Sequence, residues 1–411
     1  MTTKKTSGRV GRISLAVCAV ALSAIALSAT AVSAQSASLA YQEIPEDELL
    51  DVGITILNPG LPPHDENAAE DDGVFADLRK AEARFIPVRL METLQATGYW
   101  GAVRVVPQGS DNIDVMVSGT ILESGGRKLE LRVRAADVSG RQWFERTYKH
   151  VAEPRAYAER DDGTLPEPFR AVYSEIANDL LEMRNKLKPE ERKRLHELAQ
   201  LRFAADLVPA AFDDYLKRDR KGRWVVAKLP AEGDPMMSRI DEIRERDDLF
   251  VDMLTEHYAN FVLEMEEPYD NWRQFAYEEE MAQRQLKRQA RTQKILGALA
   301  IIGAVVMDGD SEAERVIQQG AVIGGTMAIQ AGMSKSQEVK MHVESLRELA
   351  SSFDSEVEPL LVDVEGQTLR LSGSVETQFV TWRKLLRDIF LNETGLVVDP
   401  DSGAEVTSDS P

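Results

Sequence analysis

Two uncharged, glycine-rich segments constrain this chain more than any other feature. Ile295–Met307 (ILGALAIIGAVVM) holds 13 residues without a charge and Gly320–Met333 (GAVIGGTMAIQAGM) holds 14, with a charged bend between them. A helix that crosses a bilayer needs roughly 20 such residues, so neither segment spans one as a conventional helix. Strands of a membrane barrel alternate apolar and polar side chains, and GALAIIGAVVM does not. A helical hairpin over residues 295–333 remains. Glycine costs about 1 kcal/mol per helical position relative to alanine, so several in one helix call for a packing reason. Gly320, Gly324, Ala328 and Gly332 recur every four residues, and Gly297, Ala300 and Ala304 every three or four. On a helix each set forms a smooth stripe against which another backbone can lie.

The approach to the hairpin is basic. Arg284, Lys287, Arg288, Arg291 and Lys294 precede it, and no acid falls between Met281 and Met307. A basic helix leading into an apolar segment suits an anionic lipid surface, and equally a solvated face on a long helix. The small-residue stripe resembles the glycine zippers of bacterial envelope proteins. Three arrangements satisfy it: a hairpin folded onto the chain's own body, one inserted shallowly in a membrane, or one packed between subunits of a homo-oligomer.

The chain around this stretch is acidic. Its 411 residues carry a formal net charge of −20, which argues against nucleic acid as a partner. Lys4, Lys5, Arg9 and Arg12 precede an apolar run from Ile13 to Val32, and Val32-Ser33-Ala34 is an A-x-A-like cleavage site. Residues 1–34 therefore read as a secretory signal, with an uncleaved membrane anchor as the alternative. Without these four bases the chain carries −24. Cys18, the single cysteine, lies inside the apolar run, so the mature chain has no disulfide, thiolate metal ligand or cysteine nucleophile. The expected location is the periplasm or the periplasmic face of the outer membrane.

The periodicities predict an α+β fold: an N-terminal α/β sandwich-like domain, a long mainly helical middle with the glycine-zipper hairpin, and a small C-terminal α+β module. LLDVGITIL (49–57) predicts a first strand, followed by a proline- and acid-rich loop and a helix over 74–97, with Pro87 expected to kink or restart it. Strands follow at 103–106, 114–122, 128–137 and 142–150, with turns at Gly125-Gly126 and Val138-Ser139-Gly140. A helix over 168–187 closes the domain. Residues 49–187 resemble the TolB amino-terminal and CsgG-like family. The matching pieces are Leu94 to Gly98, Val103-Arg104-Val105-Val106, Val117-Ser118-Gly119-Thr120-Ile121 and Leu129 to Gly140. The resemblance implies an envelope protein that assembles or binds partner proteins and is not an enzyme. The acidic loop after the first strand departs from the family pattern.

Residues 188–294 read mainly as helix. Pro189 opens one helix, a short strand is expected within 220–230, and a long amphipathic helix over 237–265 is expected to end at Pro268, with another starting near Trp272. Residues 337–399 read as helix, hairpin, helix and strand, an order that resembles the small BON modules associated with membrane lipid; GQTLRLSGSV (366–375) is the nearest piece. Residues 400–411 read as a disordered tail.

No catalytic constellation is legible, and no cofactor or metal site is expected. His196-Glu197-Leu198-Ala199-Gln200 has glutamine where a zincin helix needs its second imidazole, so His196 reads as a surface histidine. The five histidines are scattered, and nucleophile elbow, phosphate loop and dinucleotide fingerprint are absent. The acid clusters read as solvated faces. The expectation is a non-enzymatic structural, assembly or interaction component of the envelope. The alternatives are a regulator of cell-wall synthesis acting through the first domain, and a hydrolase whose site is assembled from distant segments, which two histidines and an acid converging in a cleft would favour.

Overall fold

The computed structural model describes residues 36–41, 43–61, 76–107, 110, 112–158, 166–306, 344, 348, 360–364, 367–371, 374–394, 397–398 and 405–406. The fold is α+β. Its centre is a five-stranded mixed sheet of β1 (Val52–Thr55), β2 (Val103–Val106), β3 (Val115–Ser124), β4 (Lys128–Asp137) and β5 (Gln142–Val151), in the order β2-β1-β3-β4-β5. β1 runs parallel to both neighbours, pairing Val52 with Val103 and with Val115. Flanked on both edges and covered on its faces, it is apolar up to Thr55 at its end, with Val52 and Ile54 buried. The β3–β4–β5 meander is antiparallel, as the alternation of Leu129, Leu131 and Val133 with charged residues predicts.

Helix α1 (Ala76–Thr97) links β1 to β2 and buries Leu78, Ala81, Phe85, Val88 and Leu94 in the core. Pro87 lies inside it without ending it. Proline lacks the N–H that would serve the carbonyl four residues back. That carbonyl, on Ala83, accepts instead from the Leu57 N–H at 3.0 Å, just beyond β1. The helix does not restart at Pro87, and a tertiary hydrogen bond uses the carbonyl that the proline leaves free.

Helices α2 (Arg170–Asn185) and α3 (Pro189–Leu207) follow, α3 opening at Pro189 with the Lys188 N–H donating to the Glu191 carboxylate at 2.9 Å. β6 (Leu216–Arg218) and β7 (Trp224–Val226) form a small hairpin. Then α4 runs unbroken from Pro235 to Val306 over 72 residues. The expected break at Pro268 does not occur. The carbonyl that loses its donor belongs to Glu264, on an exposed face open to water, where the loss costs least. α4 holds its register because Ile240, Ile243, Phe250, Leu254, Tyr258, Phe261, Met265, Tyr269 and Trp272 recur at helical spacing and are all buried.

α4 covers the β2 edge of the sheet. The Thr255 hydroxyl donates to the Val105 carbonyl at 3.1 Å, and the Arg104 guanidinium forks onto Asp252 at 2.6 and 3.1 Å. An edge strand so covered offers little to a foreign strand. The C-terminal elements are a hairpin of β8 (Leu360–Val364) and β9 (Gln367–Leu371), helix α5 (Val375–Thr394), and a two-residue ladder of β10 (Val397–Val398) with β11 (Glu405–Val406). β11 falls inside the tail expected to be disordered. α5 packs on α4 and α3: Trp382 stacks on Phe250 with centroids 4.9 Å apart, and Arg383 pairs with Asp247 and Asp206. One apolar cluster extends from Leu50 to Phe390, so α5 shares the core of the sheet domain.

Candidate functional site

Two places concentrate chemistry: the point where α4 emerges from the body, and a cluster at the N-terminal ends of β1 and β3.

At the first, the β3–β4 turn meets α4. Gly126 sits so close that a Cβ there would strike the α4 backbone at Arg273 and Tyr277. This is the physical reason for glycine in a turn the sequence marks only as a hairpin. Arg273, buried, forks onto Glu167 at 2.8 and 3.0 Å, pairs with Asp270, and lies over the ring of Tyr269 at 4.4 Å. Burial alone would lower its pKa; Glu167 and its other acidic neighbours outweigh that and hold it above the ordinary arginine value. Beneath it the fully buried Glu82 accepts from the Ser124 and Tyr269 hydroxyls, both at 2.7 Å, and faces Arg79. Burial pushes the Glu82 pKa up, against the pull of Arg79 and the two hydroxyls.

Beyond this clamp α4 leaves the core. Residues 281–286 and Arg288 are all exposed. A cleft of about 740 Å³ opens here, lined by Arg127, Val151, Tyr277, Met281, Arg284 and Arg288 among others. The exposed apolar side chains of Met281 (40%) and Val151 (38%) line the cleft with these arginines. Arg127 and Arg284 each reach Glu280, at 3.3 and 2.8 Å. The Arg284 pair is exposed and contributes little, which leaves its guanidinium available to an anionic surface, while Arg127 is half-buried beside it.

Of the five basic residues predicted for lipid contact, Arg284 and Arg288 are thereby placed on the exposed helix, while the side chains of Lys287, Arg291 and Lys294 lie outside the described residues. Gly297, Ala300 and Ala304 fall on the helical backbone of α4. The second stripe, Gly320, Gly324, Ala328 and Gly332, lies outside the described residues, as does most of the helix expected at 337–353. Among the described residues, no helix is long and apolar enough to cross a membrane. Arg127 and Val151, from distant strand ends, were not legible in the sequence as part of this surface.

At the second place His196 is the surface helix histidine the sequence suggests, and the fold sets it beside two carboxylates. Asp51 and Asp114 immediately precede β1 and β3, and α3 carries His196 across them. Asp114 accepts from the Asp51 N–H at 2.9 Å and lies 3.2 Å from His196 Nδ1. Asp51 accepts from the Ala102 N–H at 2.8 Å and sits tightly against Gly101, where a Cβ would strike its carboxylate. Burial, then the Asp114 charge, pushes the Asp51 pKa up. The convergence is one imidazole and two carboxylates, not the two imidazoles and one acid that would favour the hydrolase reading.

The hydrogen bond to Asp114 raises the His196 pKa above its ordinary 6.5. A histidine raised on folding adds stability that is whole below pH 6.5 and fades as pH rises through the elevated value. An NMR titration of the metal-free chain should show a His196 midpoint above 6.5, and Asp114→Asn should return it toward 6.5. Compared with family models, with curated proteins and with solved structures, the chain matches none.

Proposed function

We propose that the chain is an exported, non-enzymatic component of the bacterial cell envelope. In this reading the sheet domain engages partner proteins and α4 carries a membrane- or oligomer-contacting segment away from it. The observation that carries the reading is the change in α4 at Met281. Up to that point the helix is clamped to the body, and beyond it the described side chains are exposed, basic and partly apolar. The 26 residues from Met281 to Val306 run about 39 Å along the helix axis, enough to hold a contact segment well clear of the sheet. The acid-free run from Met281 to Met307 in a chain of net charge −20 supports an anionic surface as the target. The order of strand, helix, strand and three-stranded meander, together with the resemblance of residues 49–187 to the TolB amino-terminal and CsgG-like family, supports a protein-binding role for the sheet domain.

Fractionation of cells expressing the chain with its own N-terminus tests this reading. The protein should sediment with membranes, or cross-link as an oligomer whose size changes in detergent. Complete recovery as a monomer in the soluble periplasmic fraction would overturn both forms.

A further inference from the structure

We infer that Asp51, Asp114 and His196 form a three-ligand site for a divalent cation of the zinc class. One ligand atom from each lies within 4.8 Å of the others. In a tetrahedral zinc site, bond lengths of about 2.0–2.2 Å place neighbouring ligand atoms roughly 3.3–3.6 Å apart. The 3.2 Å between Asp114 Oδ2 and His196 Nδ1 is close to that spacing, and the Asp51 ligand atom lies within 4.8 Å of both.

Asp114 supplies an independent observation. The residue is buried to 1% exposure, and its second oxygen, Oδ1, has no hydrogen-bond donor. Buried carboxylate oxygens are ordinarily satisfied, and a bound cation is one way to satisfy this one. His196 is half-exposed, so an ion has a path from solvent and room for a water as fourth ligand.

The surrounding charges allow the site. Arg104, whose charge acts on Asp51, is itself paired with Asp252 and Asp248. The Arg244 charge acts against a cation at His196, while the Asp248 charge acts on Asp51 and offsets Arg244. An imidazole in the set disfavours magnesium and calcium, which take oxygen ligands. The ligands come from the starts of β1 and β3 and from α3, so a bound ion would tie that helix to the sheet. This site stands independently of the membrane reading of α4.

The purified chain, stripped with EDTA, tests it with ZnCl2 and CoCl2, and with MgCl2 for comparison. Expected are one saturable zinc per chain, tetrahedral Co²⁺ absorption bands displaced by zinc, and a melting temperature raised by roughly 5 °C at a hundredfold excess over Kd. His196→Gln should weaken zinc binding by at least the roughly 10- to 100-fold that loss of an outer-shell partner costs, while His257→Gln leaves it unchanged. If His196→Gln lowers the metal-free melting temperature, the unmodified chain decides: Co²⁺ should perturb the His196 ring protons before those of any other histidine. Absence of saturable zinc binding, binding unchanged in His196→Gln, or perturbation of another imidazole first would each overturn the assignment.

Discussion

Arg273→Ala should destabilise the folded chain by about 3–5 kcal/mol, the usual cost of removing one partner from a buried ion pair. Only 2% of the arginine side chain is exposed, while Glu167 and Asp270 lie against it and are themselves largely covered. Truncation would leave both acids, with the buried Glu82 nearby, without their main counter-charge. It would also remove the guanidinium from the faces of Tyr269 at 4.4 Å, Phe85 at 5.7 Å and Phe169 at 5.9 Å. Arg273→Lys should recover only part of the loss, because an ammonium cannot fork onto Glu167 while stacking on the rings. Urea unfolding of the three proteins measures this. A loss below about 1 kcal/mol for the alanine variant would mean that the clamp between α4 and the sheet domain does not form as described.

Trp382→Ala should cost about 3–5 kcal/mol, the range for a buried tryptophan reduced to alanine. Its ring is 2% exposed and stacks on Phe250 at an interplanar angle of 16°. The shape of the transition matters as much as its position. If α5 shares the core of the sheet domain, one cooperative unfolding transition moves as a whole. If residues 337–399 were a separate domain, the main transition would stay in place and a minor one would move. Calorimetry distinguishes these outcomes, and the structure predicts the first.

The strands and helices of the sheet domain were largely legible in the sequence because their signals are local. Alternation in KLELRVRAAD and the Gly125-Gly126 turn set β4 and its hairpin without reference to anything distant. The restart expected at Pro87 and the break expected at Pro268 do not occur, for a non-local reason. Pro87 is tolerated because Leu57, thirty residues upstream, uses the carbonyl that Pro87 leaves free. Pro268 is tolerated because the residue it deprives faces solvent while its neighbours stay buried. Neither compensation has a signature at the proline itself.

The same limit applies to the sites. Asp51, Asp114 and His196 are separated by 63 and 82 positions, and only the pairing of β1 with β3 beneath α3 brings them together. Acid clusters and single histidines carry no such information in a chain with 69 acids. The basic approach of α4, by contrast, is a local run and was legible. What the structure adds is where the run leaves the core, and that Arg127, Val151 and Met281 share that surface.

Flotation of the purified chain with lipid vesicles tests the central claim most directly. Vesicles with an anionic lipid fraction should carry the chain upward at low salt and release much of it at high salt, and purely zwitterionic vesicles should bind it weakly. Glutamine at Arg284, Lys287, Arg288, Arg291 and Lys294 together should weaken binding by more than about a hundredfold, since each base near such a surface contributes about 1 kcal/mol. Equal binding by the native chain and this variant, or no binding by either, would contradict the membrane-contacting role of α4.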